Sequence, residues 1–341
     1  MAVTIQQIAD KAGVSRGTVD RALNHRGRIN PQVAERICLL AEEMGYVHKR
    51  RKRSDNKDKK LKIGIVTQLA KSSFMMEVNR GIKKAEEELQ EKRIELILKE
   101  GISVDEEEQI RAIEELEEEG VHGLAIMPVE CERIRVKLNS LTEEKKIPVV
   151  TFNSDIVGTK RICFVGMDNR KSGKTAAGLL GLLTRGMGKI LVITGYFSNH
   201  VDNQRVDGFI EEIKSRYPQL EIAGVHGSFD ETDEVEHIVE TTMVNTTGIT
   251  GILVVSGGQA GVGRAFEKLR LEQRPYVVIY DQTPKNEKAL RDNTVDFLID
   301  QNGYIQGYLP PHILSDLLVQ GVDPGQEYLY TDINIKMSYN L

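Results

Sequence analysis

The sequence predicts an α/β protein, with a small helix-turn-helix headpiece followed by two doubly wound parallel-sheet lobes. From Leu61 onward, short unbroken apolar runs alternate with amphipathic stretches, and such runs mark strands buried on both faces of a parallel sheet. About ten runs over the remaining 280 or so residues are enough for two sheets of ordinary size. Before Leu61 the pattern changes to three short helical repeats separated by a glycine turn and a basic loop.

Composition sets outer limits. The chain has 341 residues, enough for two or three domains, and 40% apolar with 28% charged residues is ordinary globular composition. The longest apolar runs, such as Ile190 to Thr194, are far below the ~20 residues that cross a bilayer. The start, MAVTIQQIADKAG, lacks a basic segment followed by an apolar one, so no secretion signal is read and a cytoplasmic protein is expected. Cys38, Cys131 and Cys163 share no metal-ligand spacing, which favours buried reduced thiols over bridges or zinc. The net charge of -5 hides an asymmetry: residues 1–62 carry 15 Lys and Arg against 7 Asp and Glu, and the rest 31 against 44. A basic end on an acidic body points to a polyanion at one end only.

In the basic end, Thr4 with Gln7 spells a capping box, and Ile5, Ile8, Ala9 and Ala12 give helical spacing. Gly13 is expected to stop that helix in a left-handed turn, and Ser15 to cap a second helix carrying Val19, Ala22 and Leu23. Ala9 lets the second helix cross closely, with Val14 and Val19 filling the angle. After HRGR, Asn30 is read as the cap of a third helix with Pro31 in its first turn and Gly45 at its end; Val33, Ile37, Leu40, Ala41 and Met44 line one face. The exposed start of the second helix carries Ser15, Arg16, Gly17, Thr18, Asp20, Arg21 and Asn24, a donor-rich surface of a size that fits the major groove.

VTIQQIADKAGVSRGTVDRALN followed by INPQVAERICLLAEEMGY resembles the DNA-binding headpiece of the lactose/galactose repressor family (LacI/GalR type) over residues 3 to 46. The resemblance implies that Arg16 and Gly17 occupy the positions that vary with operator sequence and that Arg21 is the adjoining base-reading arginine. Thr4 joins the DNA-binding set, while Ser15, Thr18, Asn24 and Arg28 match positions that hold phosphates or support base contacts. Gly17 departs from most members in having no side chain to read a base. A headpiece is thus expected at residues 1–46 and a basic linker at 47–60, VHKRRKRSDNKDKK, with eight Lys and Arg. Family members commonly place a hinge helix here whose Leu wedges into the minor groove; this run has no Leu, so electrostatic attraction to phosphate is expected instead.

The acidic body, 61–341, reads as LKIGIV, IELIL, HGLAIM, IPVVTF, RICFVG, KILVIT, LEIAGV, GILVVS, YVVIY and VDFLI, with helices between. VDEEEQIRAIEELEEEG keeps Ile110, Ile113 and Leu116 in helical register and reads as a helix with a solvated face. Polar residues recur just after the strand ends, where parallel sheets bind ligands: Gln68, Ser72 to Phe74, Asn153 to Asp155, Gly166 to Asn169, Ser198 to Arg205, Ser256 to Gln259, Asp281 to Thr283 and Asp300 to Asn302.

This body also resembles the periplasmic-sugar-binding-protein fold of the same family. MDNRKSGKTAAGLL is similar to its DNxxSGxxA segment, SNHVDNQRVDGF to its R-x-x-G-F segment, and IYDQTP to its strand-end aspartate. The resemblance implies that Arg205 holds a sugar hydroxyl or carboxylate, that Asp281 accepts sugar hydroxyls, and that Gln301 sits at the third crossover. It places Phe74 and Phe152 against the ligand's apolar face, and Ser72 and Asn153 in the effector set. One lobe is expected from 61–160 with 302–325, the other from 161–301 with 326–341. Asn153 stands where some sugar binders have Asp, and Gly257-Gly258 where an Asn-Asp pair is frequent.

Catalytic motifs are decoys or missing. Gly173-Lys174-Thr175 resembles the end of a P-loop, but Asp168 stands where the first glycine belongs, and the glycines from 257 to 263 do not spell GxGxxG. The seven histidines form no HExxH, and no GxSxG elbow occurs. The expectation is a non-enzyme without cofactor or metal. With the resemblance, a homodimeric transcriptional regulator, a repressor, is expected, whose affinity for a palindromic operator is set by a sugar or sugar derivative bound between the lobes, with no membrane partner. The rival is a sugar- or purine-metabolism enzyme with an appended headpiece, which turnover of the ligand would reveal. A stand-alone solute-binding protein would need a signal peptide and no headpiece.

Overall fold

A computed structural model of the chain describes residues 3–23, 31–44, 46 and 60–341. The chain divides into two compact units, 1–59 and 60–341. Asn24, Arg28, the Asn30 cap, the Gly45 stop and linker residues 47–59 lie outside the described residues.

The first unit is three helices, α1 (Ile5–Ala12), α2 (Arg16–Leu23) and α3 (Pro31–Glu43). The capping box forms as the residues dictate: the Gln7 amide donates to Thr4 Oγ1 at 3.3 Å, and the Thr4 amide to Gln7 Oε1 at 2.8 Å. Gly13 takes φ +69°, a left-handed turn that an L side chain resists, so backbone conformation selects this glycine. Ser15 Oγ accepts the Thr18 amide at 3.2 Å and opens α2. Ile8, Ala9, Ala12, Val19, Ala22, Ile37 and Ala41 form the core.

The second unit holds two six-stranded sheets. The first runs β11-β5-β4-β3-β1-β2, from β1 (Leu61–Thr67), β2 (Ile94–Glu100), β3 (Gly123–Ile126), β4 (Val149–Phe152), β5 (Cys163–Met167) and β11 (Tyr328–Thr331). The second runs β12-β10-β9-β8-β6-β7, from β6 (Gly188–Thr194), β7 (Leu220–Gly227), β8 (Ile249–Val254), β9 (Tyr276–Tyr280), β10 (Phe297–Asp300) and β12 (Asn334–Lys336). Every pairing is parallel except β12 on β10. The first sheet is sandwiched by α4 (Met75–Glu91) and α12 (Gly303–Gln320) on one face, and by α5 (Glu106–Glu118) and α6 (Glu132–Glu143) on the other. The second is sandwiched by α7 (Asn169–Leu183) and α8 (His200–Arg216), and by α9 (Thr232–Asn245) and α10 (Ala260–Leu269). Burial on both faces is why the strand sequences are continuous apolar runs.

Three expectations are corrected. The change of lobe expected at residue 161 falls at Asp168, because β5 fills the slot between β4 and β11 and pairs with both. The tail does not join one lobe: β11 extends the first sheet and β12 the second, so the chain crosses three times, and Gln301 lies at the second crossing, not the third. Of the three thiols only Cys163 is buried; Cys38 and Cys131 are half-buried, Cys131 because it precedes the first turn of α6.

The helices α7 and α8 cross closely enough to require glycine on both sides of the contact. A Cβ on Gly173 of α7 would lie 2.0 Å from the Arg205 carbonyl oxygen, and one on Gly208 of α8 would lie 2.1 Å from that of Arg170. The glycine that mimics a P-loop is therefore a packing residue that sets where α8 carries Arg205.

Candidate functional site

The carboxyl ends of the two sheets face each other across a cleft of about 480 Å³. The first lobe lines it with the β1–α4 loop (Gln68, Lys71, Ser72, Phe74), Met127 and Asn153; the second with α8, the loops after β7 and β8, Asp281 and the start of α11 (Pro284–Arg291). Ser72, Phe74, Asn153, Arg205, Asp281 and Gln301 all line it. Phe152 does not: it is 1% exposed in the first-lobe core, because alternation along β4 turns its ring away from the strand end. Asn153, the next residue, leaves the strand at φ +61° and carries its amide to the cleft.

A hydrogen-bonded network ties the crossing point to both lobes. Gln301 Oε1 accepts from Arg205 Nη2 at 3.1 Å and from Asn153 Nδ2 at 3.4 Å, while Gln301 Nε2 donates to Asp281 Oδ1 at 2.6 Å. Asn153 Nδ2 also reaches Gln306 Oε1 at 3.1 Å. Arg205 is buried over the Tyr280 ring, its guanidinium 4.4 Å from the ring centroid, and donates to Asn169 Oδ1 and the Val255 carbonyl. Asp281 takes φ +72°, held there by Asn286 Nδ2 on its carbonyl. Strained non-glycine backbone of this kind persists only where its surroundings over-determine it. Burial raises the Asp281 carboxyl, and the Arg205 charge opposes the rise.

The sequence reading had no role for three charged lining residues, Lys71, Asp230 and Lys285. Asp230 follows β7, where the same strand-end rule that marked the other loops would have found it. Its Oδ1 accepts from the Ser256 hydroxyl and from the Gly257 amide at 2.8 Å. A side chain at position 257 would collide with it, its Cβ only 2.8 Å from that of Asp230. The neighbouring loop thus places a carboxylate directly beside Gly257. Asp202, 2% exposed on α8, has Oδ2 buried with no hydrogen-bond partner. Burial lifts its carboxyl to about 7, against the pull of Arg205 Nη1 4.0 Å away and with a push from Asp230. At the cleft rim Glu130, after β3, pairs with His200 of α8 at 3.0 Å, a contact between lobes.

In the headpiece, Ser15, Arg16, Gly17 and Arg21 are exposed on the first turns of α2, and Thr18 is half-buried. Thr4 and Ser15 are engaged as caps, and Ser15 Oγ lies 2.9 Å from Thr18 Oγ1. Arg21 Nε donates to the Gly17 carbonyl at 3.0 Å, so its guanidinium crosses the strip that a side chain at position 17 would share. Among the described residues no group of three His, Cys, Asp or Glu is placed to hold a metal ion, and no helix is long and apolar enough to cross a membrane.

Residues 4–48 match the model of bacterial regulatory proteins of the lacI family, and residues 63–321 that of a periplasmic binding protein domain. The chain is 29% identical over 209 residues to the maltose regulon regulatory protein MalI of Escherichia coli K12, covering 61% of this chain and 58% of that protein. It is 27% identical over 230 residues to the HTH-type transcriptional regulator AglR of Rhizobium meliloti, covering 67% and 62%. The matches thus span about six-tenths of those relatives' length. Among solved structures, the arabinose binding protein AraP of Geobacillus stearothermophilus superposes with TM-score 0.71 at 21% identity over 83% of this chain and 98% of its own. The glucose-galactose binding protein GanP of the same organism gives 0.75 at 21% over 83% and 99%.

Proposed function

This chain belongs to the lacI family of bacterial regulatory proteins, with a periplasmic binding protein domain making up most of its length, and from that premise we propose that it is a sugar-responsive transcriptional regulator. The headpiece binds operator DNA through α2, Arg21 and Arg16 reading base edges while Ser15 and Thr18 hold phosphate. The observation that carries the ligand assignment is the Asn153, Gln301, Asp281 and Arg205 network, which sets donors and acceptors from both lobes around one cleft. Hydroxyls of a sugar match such a mixed array, and Phe74 supplies an apolar face. AraP and GanP, an arabinose and a glucose-galactose binding protein, support a sugar in this fold. A ligand that bridges the lobes favours one lobe angle over another. In a homodimer on a palindromic operator in the cytoplasm, that difference in affinity between two states releases or tightens the headpieces.

A thermal-shift screen of the purified chain against sugars, polyols, sugar phosphates and purines tests the ligand class, since a ligand of the folded state raises Tm. A hit abolished by Asp281→Ala but kept by Arg21→Ala, with operator binding showing the reverse, is the expected result. Equal loss of both activities in either variant refutes the two-module account. Turnover of the hit compound would favour an enzyme instead.

A further inference from the structure

Beside the cleft, three aromatic rings stand in solvent. Tyr196, Phe197 and Phe229 are 40%, 60% and 55% exposed, in a chain that buries most of its apolar side chains. Tyr196 and Phe229 meet edge to face at 5.5 Å. Phe197 lies over Gly227, where a Cβ would come within 2.9 Å of its ring. Exposing adjacent large aromatics is costly, and clusters of this kind mark sites that something covers.

Two features tie the patch to the cleft. Tyr196 and Phe197 lie on the loop that runs directly into Asn199, Asp202 and Arg205, and Asn203 Nδ2 fixes that loop by donating to the Phe197 carbonyl at 2.8 Å. Phe229 and Asp230 are consecutive residues at φ +54° and +63°. That strained pair turns Asp230 into the cleft wall and leaves Phe229 out beside Tyr196.

We propose that Tyr196, Phe197 and Phe229 form an outer stacking subsite, so that the effector is a glycoside whose second ring, sugar or aryl, lies on these aromatics while the first sits in the cleft. This rests on the sugar reading above. The C–H face of a pyranose and the face of an aryl ring are both apolar, and either covers the rings without needing a polar partner. Titration calorimetry on the full chain tests it with D-glucose, D-galactose, D-xylose and L-arabinose, their phenyl α- and β-glycosides, and maltose, cellobiose, lactose and melibiose. At least one two-ring compound is expected to bind about tenfold tighter than its parent sugar. The double variant Phe197→Ala/Phe229→Ala is expected to reduce that gain to under twofold and to leave the parent sugar's affinity and the Tm unchanged. A parent sugar that binds with no gain from a second ring, or a gain that survives the double variant, overturns the subsite alone. Failure of every compound to bind overturns the sugar reading and the subsite with it.

Discussion

Asp202→Asn is expected to stabilise the second unit at pH 8 and to leave it nearly unchanged at pH 4. The carboxyl is 2% exposed with one oxygen unpartnered, and burial moves it from 3.8 to about 7. Between those values the folded state holds a proton that the unfolded chain releases, so stability is fully present below pH 3.8 and is lost as pH rises through about 7. A shift of roughly three units at ~1.4 kcal/mol each amounts to about 4 kcal/mol, the gain expected from the neutral amide above pH 7.5. Urea unfolding of both proteins at pH 4, 5.5, 7 and 8 measures it. The stability of Asp202→Asn relative to the parent should rise across that series, because the variant lacks the carboxyl that keeps its proton in the folded state. A difference between the two that does not change with pH, or a less stable variant at pH 8, refutes the reasoning. Either result would mean that Arg205 holds the carboxylate ionised.

Two further substitutions test the packing and the cap. Gly173→Ala places a methyl 2.0 Å from the Arg205 carbonyl, so α7 and α8 must separate; urea unfolding should show a loss of about 1–3 kcal/mol, and calorimetry a weaker effector because Arg205 moves with α8. Thr4→Ala removes the acceptor for the Gln7 amide and should cost the headpiece about 1 kcal/mol. Its thermal transition should fall while that of the second unit stays put.

All ten strands read from apolar runs are present, since strands covered on both faces by helices leave no room for polar alternation. β11 and β12 escaped because they are edge strands: YLYT alternates exposed and half-buried positions, and its tyrosines pack around Phe164 instead of entering the core. That omission also misplaced the lobe boundary, because β5 looks like the start of a new lobe until β11 is seen beside it. Most of the cleft was legible from strand-end polarity and family resemblance together. Phe152 was misassigned because the parity of a strand's last residues cannot be fixed without knowing where the strand ends. Asp202 lay inside a segment already marked, but nothing in the sequence distinguishes a carboxylate buried without a partner from one in water.

The order in which the strands are used also constrains biogenesis. The central strands of the second sheet, β6 to β10, are contiguous in the chain, whereas the first sheet opens at Leu61 and is completed only by α12 and by β11 at Tyr328–Thr331. On a ribosome, β1 to β5 must therefore wait, one face uncovered by α12 and one edge unpaired, while more than a hundred further residues are made. The second lobe can assemble β6 to β10 first, with only its edge strand β12 still to come. A nonsense truncation between β10 and α12 should thus damage most the lobe that was translated first.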